Sequence, residues 1–251
     1  MLVIFPVFNR IALLPYFLRY YVSMGATQFV CALHNGRENP LWDAIQAFAG
    51  KFQLEVQTSV VCGVDSYSGS AETPGLNRIR KNFAEQYGWY CIADLDEFHF
   101  FGGRTLSEIV REAEDRGFGA VHGQLVDRIA ADGSLPDVQG LLDETFPLAC
   151  DLSRCAGVPC RKIVLARGHV EIAPGHHLAA SVRTWHNMAE VHHFKWVNGV
   201  REELAARGER YARLNLPWAD ECLRVLELIQ NGGIDLSHPG LKMRTASMLG
   251  V

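Results

Sequence analysis

Asp94, Asp96 and Glu97 fall in three of four consecutive positions, directly after the apolar run Trp89 to Ala93 and before the aromatic cluster Phe98 to Phe101. A short apolar run bounded by polar residues reads as a strand buried on both faces. Ligands of open α/β sheets bind beyond the carboxyl ends of such strands. Three acids held there among bulky apolar neighbours repel one another and need a cation nearby. In an extended chain Asp94 and Asp96 share a side, because side chains repeat every two residues. Two carboxylates on one side begin a site for Mg²⁺ or Mn²⁺, which bridges to substrate phosphates. The same residues read equally as an acidic turn that caps the next helix.

Other groups bear on that chemistry. Val191-His192-His193-Phe194-Lys195-Trp196 supplies a histidine that would complete a mixed nitrogen and oxygen shell, as Mn²⁺ accepts. Lys195 shares a strand face with His193 and could neutralise phosphate. Arg78, Arg80 and Lys81 cluster early in a helix and either steer a diphosphate or form a solvated basic face. His176 and His177, after Pro174-Gly175, are ligands, substrate contacts or surface residues. Asn9, after the first strand, and Asp65, in a Gly/Ser-rich loop, lie where a nucleotide's base and ribose would sit.

The elements that position these groups follow from periodicity. Leu2 to Phe8 is an apolar strand, with Pro6 near its end. Ile11 to Met24 is an amphipathic helix showing Leu14, Phe17, Leu18 and Tyr21 on one face, and Gly25 is its natural C-cap. Strands over 28–33 and 52–61 enclose a helix over 41–49. This β-α-β-α-β order is the pattern of a parallel sheet covered by helices. A loop over 63–75, a helix over 76–87, the acidic strand, a helix over 106–116 and a strand over 118–125 flowing into Val126-Asp127-Arg128 continue it. Beyond lie a possible short helix over 138–143 and a hairpin of strands 161–166 and 169–172. A strand over 189–196, helices over 200–214 and 218–230, and a weakly ordered tail after Gly232 complete the chain.

With 251 residues, 48% hydrophobic and 21% charged, the chain reads as one domain over 1–251. Within it are a nucleotide-type half (1–101), an irregular half (102–215) and a C-terminal helix and tail (216–251). A net charge of −4, a pI near 6.2 and scattered basic residues argue against nucleic-acid binding. No apolar run approaches the roughly 20 residues that span a bilayer, and no secretory leader is evident. The expected location is cytoplasmic, with peripheral contact at a membrane face left open. Seven cysteines do not form a disulfide framework. Cys150, Cys155 and Cys160 lack the paired spacing usual for structural zinc.

Pro6 to Arg10 followed by Leu13 to Gly25 resembles the opening of GT-A glycosyltransferases of the family 2 type. Ala93-Asp-Leu-Asp-Glu-Phe98 resembles their Asp-x-Asp-Glu-Phe metal motif. Val191 to Trp196 loosely matches the late His-aromatic-x-Lys element of family-2-like and family-92-like members, and Arg161-Lys-Ile163 resembles the basic strand before their His-containing loop. The chain departs from the pattern at His34-Asn35-Gly36-Arg37, where these families carry an acidic loop, and it lacks a clear late Glu-Asp pair.

The resemblance implies a GT-A fold with a mixed, mostly parallel central sheet flanked by helices. It implies metal-dependent transfer from a nucleotide-diphospho-sugar to a hydroxyl acceptor, glycan or small molecule, with inversion. Its donor contacts would be Asn9, Arg10, Asn35, Asp65, Arg78, Asp94, Lys162 and Lys195. Its Mn²⁺ or Mg²⁺ ligands would be Asp94 and Asp96 with His193 or His192, and its acceptor contacts His176, His177 and Glu97. An inverting enzyme also needs a carboxylate base; Asp127 is the first candidate, then Asp143 and Glu144. The competing readings are a nucleotidyltransferase, disfavoured because Phe8-Asn-Arg-Ile-Ala-Leu13 has no glycine, a non-catalytic binder of sugar nucleotide or carbohydrate, and a zinc-dependent activity.

Overall fold

The computed structural model describes residues 1–7, 11–34, 38–59, 69–230 and 232–251, without the side chains of 58, 59, 69–72, 84–87 and 230. The chain begins β1 (Leu2–Val7), α1 (Leu14–Ser23), β2 (Gln28–His34), α2 (Trp42–Ala49), β3 (Leu54–Ser59), α3 (Gly69–Tyr87) and β4 (Trp89–Ile92). It continues β5 (Glu97–Phe100), α4 (Leu106–Asp115), β6 (Ala120–Ile129), α5 (Leu142–Thr145), β7 (Leu148–Cys150), α6 (Leu152–Cys155), β8 (Arg161–Arg167) and β9 (Thr184–His193). It ends α7 (Val200–Arg213), α8 (Ala219–Glu227), β10 (Ile229–Gln230), β11 (Gly233–Ile234) and β12 (Met243–Thr245). No helix among the described residues is long and apolar enough to cross a membrane.

Two compact units divide the chain: Met1–Gln124 with Arg161–Val191, and Leu125–Cys160 with His192–Val251. The first is a mixed α/β unit. Strands β3, β2, β1 and β4 run parallel in that order, and β8 continues the sheet antiparallel to β4. The first residues of β6 then pair antiparallel with β8. Leu2, Ile4, Val30, Ile79, Tyr90, Ile92 and Ile163 fill one core between this sheet and α3.

Pro6 is tolerated for a local reason. The β1–β4 pairing ends at Ile4↔Ile92, whereas β1–β2 continues to Val7↔Leu33. Pro6 therefore has a strand neighbour on one side only, where a missing N–H costs little. Helix α1 buries Leu14, Phe17, Leu18, Tyr20 and Tyr21. Gly25, at φ 89°, closes it in the left-handed conformation while the Ala26 N–H donates to the Tyr21 carbonyl at 2.8 Å. Helix α4 starts on a capping box made by Thr105 and Glu108.

The second unit is antiparallel, with β12 on β7 and β7 on the last residues of β6. Helices α7 and α8 pack Val200, Leu204, Tyr211, Cys222 and Val225 against Trp196 and Leu152.

Several expected boundaries shift. α3 begins at Gly69, well before the expected 76, and carries Pro74 inside it. β6 runs to Ile129, so Asp127 lies within a strand. Residues 169–172 form no strand, and only Ile172 bridges, to Ala179. The expected 189–196 strand starts at Thr184 and ends at His193. The tail after Gly232 is ordered by β11, β12 and the contacts described below.

Candidate functional site

At the carboxyl end of β4 the backbone turns. The Glu97 N–H donates to the Asp94 carbonyl at 2.9 Å, with Leu95 and Asp96 at the bend. This is a β-turn rather than a continued strand, which corrects the extended geometry expected for Asp94-Leu-Asp96. Helix α1 fixes the turn from behind. The Tyr21 hydroxyl donates to the Glu97 carbonyl at 3.1 Å and the Tyr20 hydroxyl to the His99 carbonyl at 2.8 Å. Phe98 meets Phe17 edge-on at 6.0 Å and Tyr20 at 5.3 Å.

Lys162 arrives across the sheet. In the β4–β8 register Cys91 faces Leu165, and continuing it three residues puts Lys162 opposite Asp94. Its ammonium donates to Asp94 Oδ2 at 3.0 Å and pairs with Glu97 Oε1 at 2.7 Å. Glu97 is 2% exposed as a side chain, Lys162 10% and Asp94 33%. Burial works against charge on Lys162, but Asp94 and Glu97 outweigh it and hold the ammonium well above the usual lysine range.

On the other side of Asp94 stands His176, buried in a short turn at Pro174–His176 with φ 61°. The preceding Gly175 (φ 68°) has no room for a side chain, since a Cβ would come within 2.7 Å of the His177 ring. The Arg80 guanidinium, itself buried, donates to His176 Nε2 at 2.8 Å. Arginine cannot accept, so the His176 proton sits on Nδ1, 3.7 Å from Asp94 Oδ1. Arg80 is braced in turn by Asn77 Oδ1 at 3.0 Å. His177 donates from Nδ1 to the Arg161 carbonyl at 2.7 Å, and His122 donates from Nε2 to the His177 carbonyl at 3.2 Å. His122 Nδ1 then accepts from His186 Nδ1 at 2.8 Å.

Burial, first of all, pushes His176 well below the ordinary histidine value, and it lowers His122 and His177 as well. A depressed histidine stabilises the fold above its unfolded value of about 6.5 and loses that contribution as pH falls. The urea midpoint is therefore expected to fall from pH 7.5 to pH 5.5, and His176→Asn should flatten that dependence. An unchanged slope in the variant would show that His176 titrates in the fold as it does in the unfolded chain.

Hard divalent ions take one or two carboxylates and complete their shell with water and substrate phosphates. Asp94 and Asp96 are the residue types such an ion takes, and Lys162 already holds Asp94 Oδ2. Among the described residues no group of three or more His, Cys, Asp and Glu side chains is placed to hold a metal on its own.

The second unit accounts for the other candidates. Asp127 is 1% exposed, and its carboxylate accepts from the Ser153 N–H (2.6 Å), Ser153 Oγ (2.7 Å), Trp196 Nε1 (2.8 Å) and His193 Nδ1 (3.2 Å). Burial alone would raise Asp127, but His193 and Ser153 hold it below the ordinary aspartate range. Asp143 is likewise enclosed: Oδ1 pairs with Arg128 at 2.9 Å, and Oδ2 accepts from the Leu249 and Gly250 N–H groups at 2.8 Å. His192 Nδ1 accepts from Arg128 at 3.1 Å, and the Lys195 ammonium lies 5.4 Å from the Trp196 ring centre. Glu144 is exposed. Burial, then Asp127, pushes Cys150 up to about 12 and Cys160 up to about 11, so both are thiols at neutral pH.

The acidic turn, Lys162 and His176 thus come together, while Asp127 with His193 and Asp143 with His192 are tied within the second unit. Asn9, Arg10, Asn35 and Asp65 lie outside the described residues. Sequence reasoning missed the part of Arg128 and Ser153, whose partners are distant in the chain and give no local signal.

No protein-family model matches the chain, and no curated protein matches it. Among solved structures, S. aureus TarS 1-349 is similar at a TM-score of 0.36 and 10% identity, covering 90% of this chain and 68% of that one.

Proposed function

We propose that this chain transfers a glycosyl group from a nucleotide-diphospho-sugar to a hydroxyl acceptor. The observation that carries this reading is the acidic turn Asp94–Glu97 at the carboxyl end of β4, beside a parallel run of strands, with Lys162 locked against it. That is where an open α/β sheet binds its ligands. Asp94 and Asp96 would hold Mn²⁺ or Mg²⁺, which when bound neutralises the charge that develops on a departing diphosphate. Lys162 pairs with Asp94 and Glu97 and orients them, and the Nδ1–H of His176 faces the second oxygen of Asp94.

The test is a thermal-stability panel of nucleoside diphosphates and their sugars, each with and without Mn²⁺, on wild type and Asp96→Ala. A ligand that binds only the folded state stabilises it by about 2.7 kcal/mol at a hundred times its dissociation constant. One nucleotide should stabilise the wild type, need the metal to do so, and lose its effect in Asp96→Ala. Stabilisation by no nucleotide, or an equal shift in the variant, would overturn the reading.

A further inference from the structure

A cleft of about 860 Å³ opens between α3 and the loop after β8, lined by Asn77, Arg78, Lys81, Gly88, His169 and Glu171 among others. It lies at the opposite end of β4 from the acidic turn. Gly88 immediately precedes that strand, and at roughly 3.3 Å per residue the six positions from Gly88 to Asp94 span about 20 Å. Arg78 and Lys81, three residues apart on one helix, present their cations on neighbouring turns. Both are exposed, and no described acidic side chain pairs with either.

The cleft is preformed, because its walls are tied to each other. The Asn77 side chain donates to the Ile172 carbonyl at 3.0 Å and accepts from the Ile172 N–H at 3.3 Å. The Tyr90 hydroxyl donates to the Val170 carbonyl at 3.3 Å, and the Gly168 N–H to the Gly88 carbonyl at 2.9 Å. α3, the loop and β4 are thereby held together, so a ligand need not order them on binding. The volume suits a small metabolite. Two cations that pair with no described acid suit an anion, and a carboxylate and an imidazole opposite suit hydroxyl groups.

We propose that this cleft is a second binding site, for a small phosphate ester bearing hydroxyl groups. Arg78 and Lys81 take the phosphate, and Glu171 and His169 take the hydroxyls. Arg78 then acts here rather than beside Asp94.

The probes are inorganic phosphate and glycerol 3-phosphate, titrated against thermal stability with potassium chloride at matched ionic strength as control. Wild type should show a saturable rise in Tm with both, larger for the ester. Arg78→Ala/Lys81→Ala should lose the rise, and Asp96→Ala should keep it, which separates this site from the proposed donor site. No rise beyond the chloride control, or an equal rise in the double variant, would overturn the proposal. Because Arg78 and Lys81 are exposed, the double variant is expected to fold, and its Tm without ligand checks that.

Discussion

Lys162→Met is expected to destabilise the chain by about 3–5 kcal/mol, because it removes the ammonium that pairs with the buried Glu97 at 2.7 Å. A methionine of similar length fills the space but cannot neutralise a carboxylate that water does not reach. The second partner, Asp94, is one-third exposed and can be hydrated, so Asp94→Asn should cost much less. The double variant Lys162→Met/Glu97→Gln should recover most of the loss, since a buried ion pair replaced by neutral groups of similar volume is often neutral. Denaturant midpoints of the two single variants and the double form a cycle that isolates the coupling. If the single lysine variant loses under 1 kcal/mol, the ammonium does not hold the turn. The raised lysine value also fixes a sign. Its stabilisation is complete below about pH 10.4 and is lost only as pH rises through the still higher folded value, so this contribution stays flat at neutral pH.

The place of the acidic turn at the end of β4 is legible in the sequence, and its wiring is not. The apolar run Trp89 to Ala93 ending in acids marks the carboxyl end of a buried strand wherever that strand lands in the sheet. The α1 face was equally plain, because its period is local. Lys162 stands sixty-eight residues from Asp94 and meets it only through the antiparallel β4–β8 register, which no local pattern encodes. The same holds for Arg80 and His176, ninety-six residues apart. The sequence places Asp127 just after a strand ending at Leu125, which flows into Val126-Asp127-Arg128. In the fold that stretch stays in β6, and two charged residues are buried because each finds partners elsewhere: Ser153, His193 and Trp196 for Asp127, Asp143 and Phe146 for Arg128. The end of the strand is thus set by distant pairing, which no local pattern of polarity encodes.

That pairing makes Arg128→Met the other change with a large expected effect, again about 3–5 kcal/mol, since both Arg128 and Asp143 are almost wholly buried. The guanidinium binds Asp143, the Phe146 carbonyl at 2.8 Å and the Ser247 carbonyl at 3.4 Å, and it lies 5.0 Å from the Phe194 ring centre. Asp143 in turn accepts from Leu249 and Gly250, and the Leu142 N–H donates to the Val251 carbonyl at 2.8 Å. Losing the arginine should therefore free the tail as well as weaken the core. Amide exchange at Leu249 and Gly250 should speed up in Arg128→Met, and limited proteolysis should trim the tail before it cuts elsewhere. Asp143→Ala should give the same tail release, because it removes the acceptor of both amides. Protection at Leu249 and Gly250 that matches wild type in both variants would mean that the tail is held by β12 on β7 alone, and that the buried pair serves only the interior of its own unit.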